Sequence, residues 1–309
     1  MDAVVEVQGL KKSYGAKLAV DDVSFAIDRG EIFGIVGPNG AGKTSTVECI
    51  TGLRSPDGGS VRVLGLDPRQ QPAAVRQRIG IQLQSAALQD RLRVAEALKL
   101  FSSFYDHPIP WEPLLDRWGM DDQRDTAFGA LSGGQQQRLF IMLALINDPK
   151  IVVLDELTAG LDPHARRRSW DLIREIRANG TTVLLVTHAM DEAQQLCDRV
   201  AVIENGRILA LDSPAALVRD MGGALRVRFT PPDAFDLAEL TDIPGLAGCE
   251  RTGAEVVLSG ASPLMARVAT WLAGRGIVPA DLRTEQRTLE DVFIQLTHQP
   301  DHATGGIVS

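Results

Sequence analysis

Eight consecutive residues, Gly37-Pro38-Asn39-Gly40-Ala41-Gly42-Lys43-Thr44, have the composition and spacing to hold a chain of phosphates. Glycines let the backbone curl until successive N–H groups point at phosphate oxygens, and a helix starting at the end of the run adds its positive N-terminal end. Lys43 supplies charge to the β and γ phosphates, and the Thr44 hydroxyl is suited to ligating Mg2+, with Ser45 next along the same turn. A second run, Ile151-Val152-Val153-Leu154-Asp155-Glu156, reads as a buried strand that delivers two adjacent carboxylates to its end. Neighbouring side chains on a strand point opposite ways, so the two acids can take different tasks. Asp155 would hold Mg2+ through its water shell, and Glu156 would polarise an attacking water as general base. Alone, an acidic pair after a strand is more often a solvated strand end; the phosphate loop upstream makes the chemical reading the stronger one.

A third run, Leu131-Ser132-Gly133-Gly134-Gln135, is followed by Gln136-Gln137-Arg138 and lies 23 residues before Asp155. Ser132 can cap a helix, and two glycines bring bare backbone close to whatever lies above. Together the three runs resemble the motifs of ABC-type ATPases, and the resemblance covers about residues 4 to 220. It implies ATP and Mg2+ as cofactors. It also implies that Ser132, Gly133, Gly134 and Gln135 of one subunit close on the γ phosphate held by the loop of a second, identical subunit, in a head-to-tail dimer. By the same resemblance Tyr14 falls where an aromatic ring stacks on adenine. Gln84 looks like the glutamine that senses Mg2+ and the attacking water, with Gln82 as the rival assignment. Asp162 resembles the loop residue that couples the two sites, and His188, 32 residues after Glu156, resembles the histidine that contacts the γ phosphate and orients the water. One departure is Leu157, which stands where family members usually have proline; the change would either loosen the loop past the base or be neutral.

The elements that must position these residues alternate apolar strands with helices, which predicts an α/β fold with a mainly parallel core sheet covered on both faces. Two strands span residues 4 to 27, and short buried strands are predicted at Ile32 to Val36, Val61 to Leu64, Ile79 to Leu83, Ile151 to Leu154 and Thr182 to Thr187. Helices are predicted at Lys43 to Ile50, Val94 to Tyr105 and Pro163 to Ala178. The resemblance adds an antiparallel β-subdomain and a helical subdomain. A boundary near Met221-Gly222-Gly223 separates this cassette, residues 1 to 220, from a second domain over residues 221 to 300 and a flexible tail over 301 to 309. The second domain reads as βαββαβ plus a terminal helix, a ferredoxin-like α+β pattern. Its predicted elements are strands at Leu225 to Phe229, Gly248 to Thr252, Glu255 to Leu258 and Ile277 to Leu282, and helices near Phe235 to Leu240, Pro263 to Ala273 and Leu289 to Leu296.

The 309 residues carry 40 Asp and Glu against 32 Lys and Arg, so most of the surface repels nucleic acid, and no nucleic-acid partner is expected. After residue 220 the balance is again acidic, seven Arg against eleven acidic residues. Three widely spaced cysteines give neither a disulfide framework nor a zinc site. The first residues lack the pattern of a secretion signal, and no stretch approaches the length of a membrane span. The resemblance turns that absence into an expectation of a separate transmembrane permease, with this chain peripheral on the cytoplasmic face and Ser85 to Arg93 the preferred contact. Arg287-Thr288-Leu289-Glu290-Asp291-Val292-Phe293 resembles the segment closing the ATPases of daunorubicin-resistance-type exporters, which points to a drug, antibiotic or lipid-like cargo. The competing class, ABC-type ATPases acting on ribosomes or DNA, usually carries two cassettes or a long coiled-coil insertion, and this sequence has neither.

Overall fold

The computed structural model describes residues 2–83, 87–220, 225–232, 235–261, 263–285 and 287–298. The chain divides into two compact units, Met1–Pro214 and Ala215–Ser309. In the first, β1 (Ala3–Tyr14) and β2 (Lys17–Asp28) form an antiparallel pair, followed by β3 (Ile32–Val36), α1 (Lys43–Ile50) and β4 (Gly58–Val63). Next come α2 (Pro72–Arg76), β5 (Ile79–Gln82), α3 (Val94–Ser102), α4 (Glu112–Arg117) and α5 (Gly133–Leu145). The unit continues with β6 (Ile151–Asp155), α6 (Pro163–Ala178), β7 (Thr182–Thr187), α7 (Met190–Leu196), β8 (Arg199–Glu204) and β9 (Arg207–Asp212). Helix α8 (Pro214–Asp220) starts at the division.

Two sheets build this unit. Strands β2-β1-β4 form an antiparallel three-stranded sheet, and β5-β6-β7-β3-β8-β9 form a six-stranded sheet that is parallel except for β9. Every residue of β3, β6 and β7 is buried, which is why these strands read as unbroken apolar runs rather than alternating ones. The strand order has a direct consequence for function. Because β6, β7 and β3 are neighbours in register, with Asp155 opposite Val186 and Val36 opposite Thr187, the residues that follow each strand emerge side by side at one sheet edge.

Helix α3 is shorter than its apolar periodicity predicts. Val94, Ala97 and Leu98 are buried, but the helix stops at Ser102 and Phe104 is 60% exposed. There the amides of Phe104 and Tyr105 bond back three residues, to the carbonyls of Phe101 and Ser102, tightening the last turn.

The second unit holds β10 (Leu225–Phe229), β11 (Leu246–Thr252), β12 (Glu255–Gly260), α9 (Leu264–Gly274), β13 (Arg283–Glu285) and α10 (Leu289–His298). Its sheet order is β11-β12-β10-β13, all antiparallel, so the first and last strands lie side by side as a ferredoxin-like chain path requires. Val227, Phe229, Val256 and Leu258 meet Leu264, Val268 and Leu272 of α9 in its core. Two predicted elements differ. The expected helix at 235 to 240 is a short 3-10 segment, Leu237–Asp242, and the strand expected at 277 to 282 is a loop. Ile277 and Leu282 do pack on the core, but Pro279 lacks a donor and Val278 is 86% exposed, so pairing with β10 begins only at Arg283.

Candidate functional site

The loop after β3 is closed by its own lysine. Lys43 Nζ donates to the carbonyls of Gly37 at 2.7 Å and Pro38 at 3.1 Å, bringing the two ends of the run together. Glycine at two of its positions is dictated by the chain itself. A Cβ on Gly37 would lie 2.0 Å from the Ile203 carbonyl oxygen, and one on Gly42 would lie 2.3 Å from that of Ala19. Gly42 also sits at φ +104° and Gly40 at φ +84°, where side chains are strained. Gly42→Ala is therefore expected to lower stability by about 2 kcal/mol or more, read as a drop in Tm. Thr44, at the start of α1, is exposed.

At the ends of β6 and β7 the acid pair and the histidine meet this loop. Glu156 is buried at φ +53°, its amide donates to the Val186 carbonyl at 2.8 Å, and its Oε2 lies 2.5 Å from His188 Nδ1. Its other oxygen is 3.7 Å from Lys43 Nζ. Burial pushes the Lys43 ammonium below its ordinary pKa, while the charges of Glu156 and Asp155 hold it up. Asp155, the last residue of β6, is almost wholly buried. Lys43, Asp155, Glu156 and His188, 145 positions apart in sequence, are thus one constellation: a cation, two carboxylates and an imidazole at the mouth of a phosphate-sized turn.

Tyr14 lies along the side of α1. Its hydroxyl pairs with Ser45 Oγ at 3.2 Å and reaches Glu48 Oε2 at 3.5 Å, and Arg54, bound to Glu48, lies 5.2 Å from the ring centroid. The ring remains partly exposed. Gln84 lies outside the described residues. Gln82, its rival, is buried at the end of β5 with its amide nitrogen donating to the Leu83 carbonyl at 3.0 Å.

Ser132, Gly133, Gly134 and Asp162 form a second group. Ser132 caps α5, accepting the Gln135 amide, while the Gln135 side chain accepts the Ser132 amide at 2.8 Å. Asp162 caps α6; the Ala165 and His164 amides bond to its carboxylate and hold its pKa below the ordinary value. Both caps line an open cleft of about 820 Å³ together with Arg138 and Arg168, and no described residue of the Gly37 to Thr44 loop belongs to its wall.

Unlike Gly37 and Gly42, the glycines of this second group are not required by the chain. A Cβ on Gly133 or Gly134 would meet nothing within 4 Å, and neither has a positive φ. Gly134→Ala is expected to keep or slightly raise the Tm, by contrast with Gly42→Ala, since alanine is the better helix former by about 0.5 to 1 kcal/mol.

Leu157 stands at the start of the loop that follows the acid pair. Leu157 is buried, and turn hydrogen bonds from Ala159 to the Glu156 carbonyl and from Leu161 to the Thr158 carbonyl hold the loop in place of a fixed φ. Sequence reading also passed over Glu192, a fully buried carboxyl behind the pair. Its signal was present: on α7 it shares a face with Leu196, four residues on, which is buried.

The comparisons agree with this geometry. Residues 20–159 match the ABC transporter family. Among curated proteins, the "Nod factor export ATP-binding protein I" of Sinorhizobium fredii (strain NBRC 101917 / NGR234) is 38% identical over 305 residues, covering 96% of this chain and 86% of that protein. This chain belongs to the ATP-binding subunits of ABC transporters. The protein of the same description from Rhizobium sp. (strain N33) is also 38% identical, over 95% of this chain and 96% of its own. Among solved structures, an ATP-binding subunit of an ABC transporter superposes with a TM-score of 0.65 at 28% identity, covering 77% of this chain and 98% of that one. A dimeric post-hydrolysis cassette bound to ADP and Pi gives 0.60 at 25% identity, over 68% of this chain and 98% of its own. As a member of this family the ABC subunit binds and hydrolyses ATP.

Proposed function

We propose that this ABC subunit hydrolyses Mg-ATP at two sites, each shared between two head-to-tail copies, and that it thereby drives export through a separate membrane permease. The observation that carries the shared site is the bare backbone of Gly133 and Gly134. Among the described residues nothing needs them small, so their smallness serves something that arrives from outside, at the positive end of α5. The likeness to a dimeric cassette bound to ADP and Pi supports that reading.

In the closed dimer the Gly37 to Thr44 loop cradles the β and γ phosphates, Lys43 turns its ammonium onto them, and Tyr14 stacks on adenine. Glu156 accepts the proton of the attacking water as general base, and His188, fixed by its hydrogen bond to Glu156, contacts the γ phosphate and orients that water. Asp162 stands beside Ser132 where the two sites would communicate. Among the described residues no group of three or more His, Cys, Asp or Glu could hold a metal. Mg2+ takes few protein ligands and completes its shell with water and substrate phosphates. Thr44 and Asp155 would hold it, with Gln84 as the third candidate, and Mg2+ would neutralise charge on the phosphate oxygens.

Among the described residues no helix is long and apolar enough to cross a membrane. A permease on a separate chain, with this subunit on its cytoplasmic face, supplies the spans. The relatives' printed role supports export; the drug or antibiotic cargo rests on the Arg287 to Phe293 resemblance alone. The division near residue 214 is consistent with a cassette followed by an accessory domain. The test is to read the neighbouring reading frames for a membrane protein and to reconstitute this chain with it. ATP hydrolysis by the purified subunit is expected to be weak alone and to rise several-fold in vesicles holding that partner; absence of stimulation, with co-sedimentation on ribosomes, would overturn the reading.

A further inference from the structure

Glu192 has 0% of its surface exposed, yet it lies among neutral donors rather than beside a cation. Its Oε1 accepts the Thr158 hydroxyl at 2.8 Å and the Trp170 indole N–H at 3.1 Å. Thr158 is two residues past Glu156 in the loop between β6 and α6, and Trp170 is on α6. The Thr187 hydroxyl, at the end of β7, also favours the charged carboxyl, but too loosely to count as a hydrogen-bond partner for Oε2. The same hydroxyl accepts the Ala189 amide at 3.0 Å, so it spans His188.

Such a group is costly to keep. Burial raises its pKa and the charge of Asp191 adds to the rise, against the opposing pull of Thr187, Thr158 and Trp170. An apolar side chain of similar volume would avoid that cost, so the carboxyl is retained for what it orients. What it faces is the segment that holds Glu156 at φ +53°, a conformation that persists only where its surroundings over-determine it.

We infer that Glu192 is a positioning residue for hydrolysis: its carboxyl ties the Glu156 loop, through Thr158, to α6, through Trp170, and so sets Glu156 on the attacking water. The inference rests on the role proposed above for Glu156.

Steady-state ATP hydrolysis and ATP affinity of the full chain test it, using Glu192→Ala, Glu192→Gln and Thr158→Val. Glu192→Ala is expected to lower kcat about 100-fold, the cost of displacing a reacting group by about an ångström. ATP affinity should change less than about threefold, because none of Glu192's hydrogen bonds reaches the phosphate loop. Glu192→Gln presents an oxygen where Thr158 and Trp170 donate, and should restore kcat to within about threefold of native. Thr158→Val should lower kcat about tenfold, and adding it to Glu192→Ala should cost little more, as for two members of one network. If Glu192→Ala does not fold, Thr158→Val and Glu192→Gln carry the test. The inference is overturned if kcat and ATP affinity fall together, or if glutamine fails to rescue a chain of native Tm. Glu156→Gln is measured alongside. A native rate there sinks the base assignment whatever Glu192 shows, whereas a low rate there with a native rate in Glu192→Ala sinks only this inference.

Discussion

Replacing Glu156 with glutamine is expected to lower the ATP turnover number by about 100- to 10,000-fold, the usual contribution of a positioned general base. The fold should survive, because glutamine is isosteric and the left-handed backbone at this position is held by the hydrogen bond that its own N–H donates to the Val186 carbonyl, which the side chain does not make. The electrostatics point to binding and catalysis moving in opposite directions. Glu156 Oε1 is 3.7 Å from Lys43 Nζ and lies at the mouth of the phosphate loop, so its charge repels a γ phosphate while it supports the lysine's own charge. Removing it should leave ATP affinity unchanged or tighter, and should trap an ATP-bound dimer that can be counted by size-exclusion chromatography. Hydrolysis at the native rate would show that another group takes the water's proton.

The site was legible where chemistry follows directly from a buried strand. Val36, Asp155 and Thr187 each end a wholly buried strand, and adjacent parallel strands bring their successors together whatever the intervening sequence does. What the sequence hides is contact made by side chains with no chemical motif of their own. Glu192 is read as one more acidic residue until its burial against Thr158 and Trp170 is seen. Element ends fail for a related reason: apolar periodicity runs on through Phe104 and Tyr105, although the backbone has already changed its bonding at the last turn of α3. In the second unit Ile277 and Leu282 are apolar because they pack on the core, which mimics a strand without forming one. The difference between the two pairs of glycines was not visible either. All four look alike in sequence, and only their surroundings separate those that relieve a clash from those that face open space.

That separation leads to the second large effect, which concerns Gly134. The Cβ of an aspartate there meets nothing within 4 Å and takes no strained φ, so Gly134→Asp should fold with a native Tm and bind ATP as a monomer with unchanged affinity. Placed opposite the γ phosphate of a second copy, however, its charge and bulk should abolish hydrolysis, by about 100-fold or more if preorganised charge stabilisation is the main loss. Because each proposed site takes its phosphate loop from one copy and its Ser132 segment from the other, a chain bearing Lys43→Ala can repair a chain bearing Gly134→Asp. In a one-to-one mixture about half the dimers pair the two variants, and each of these has one intact site and one doubly damaged, so about a quarter of native activity should return from two inactive proteins if sites work singly. The native chain should in addition lose specific activity on dilution, as its dimers dissociate. Specific activity that stays constant on dilution, together with a Gly134→Asp chain that hydrolyses ATP normally, would place the whole reaction within one copy and leave the two bare glycines without a purpose.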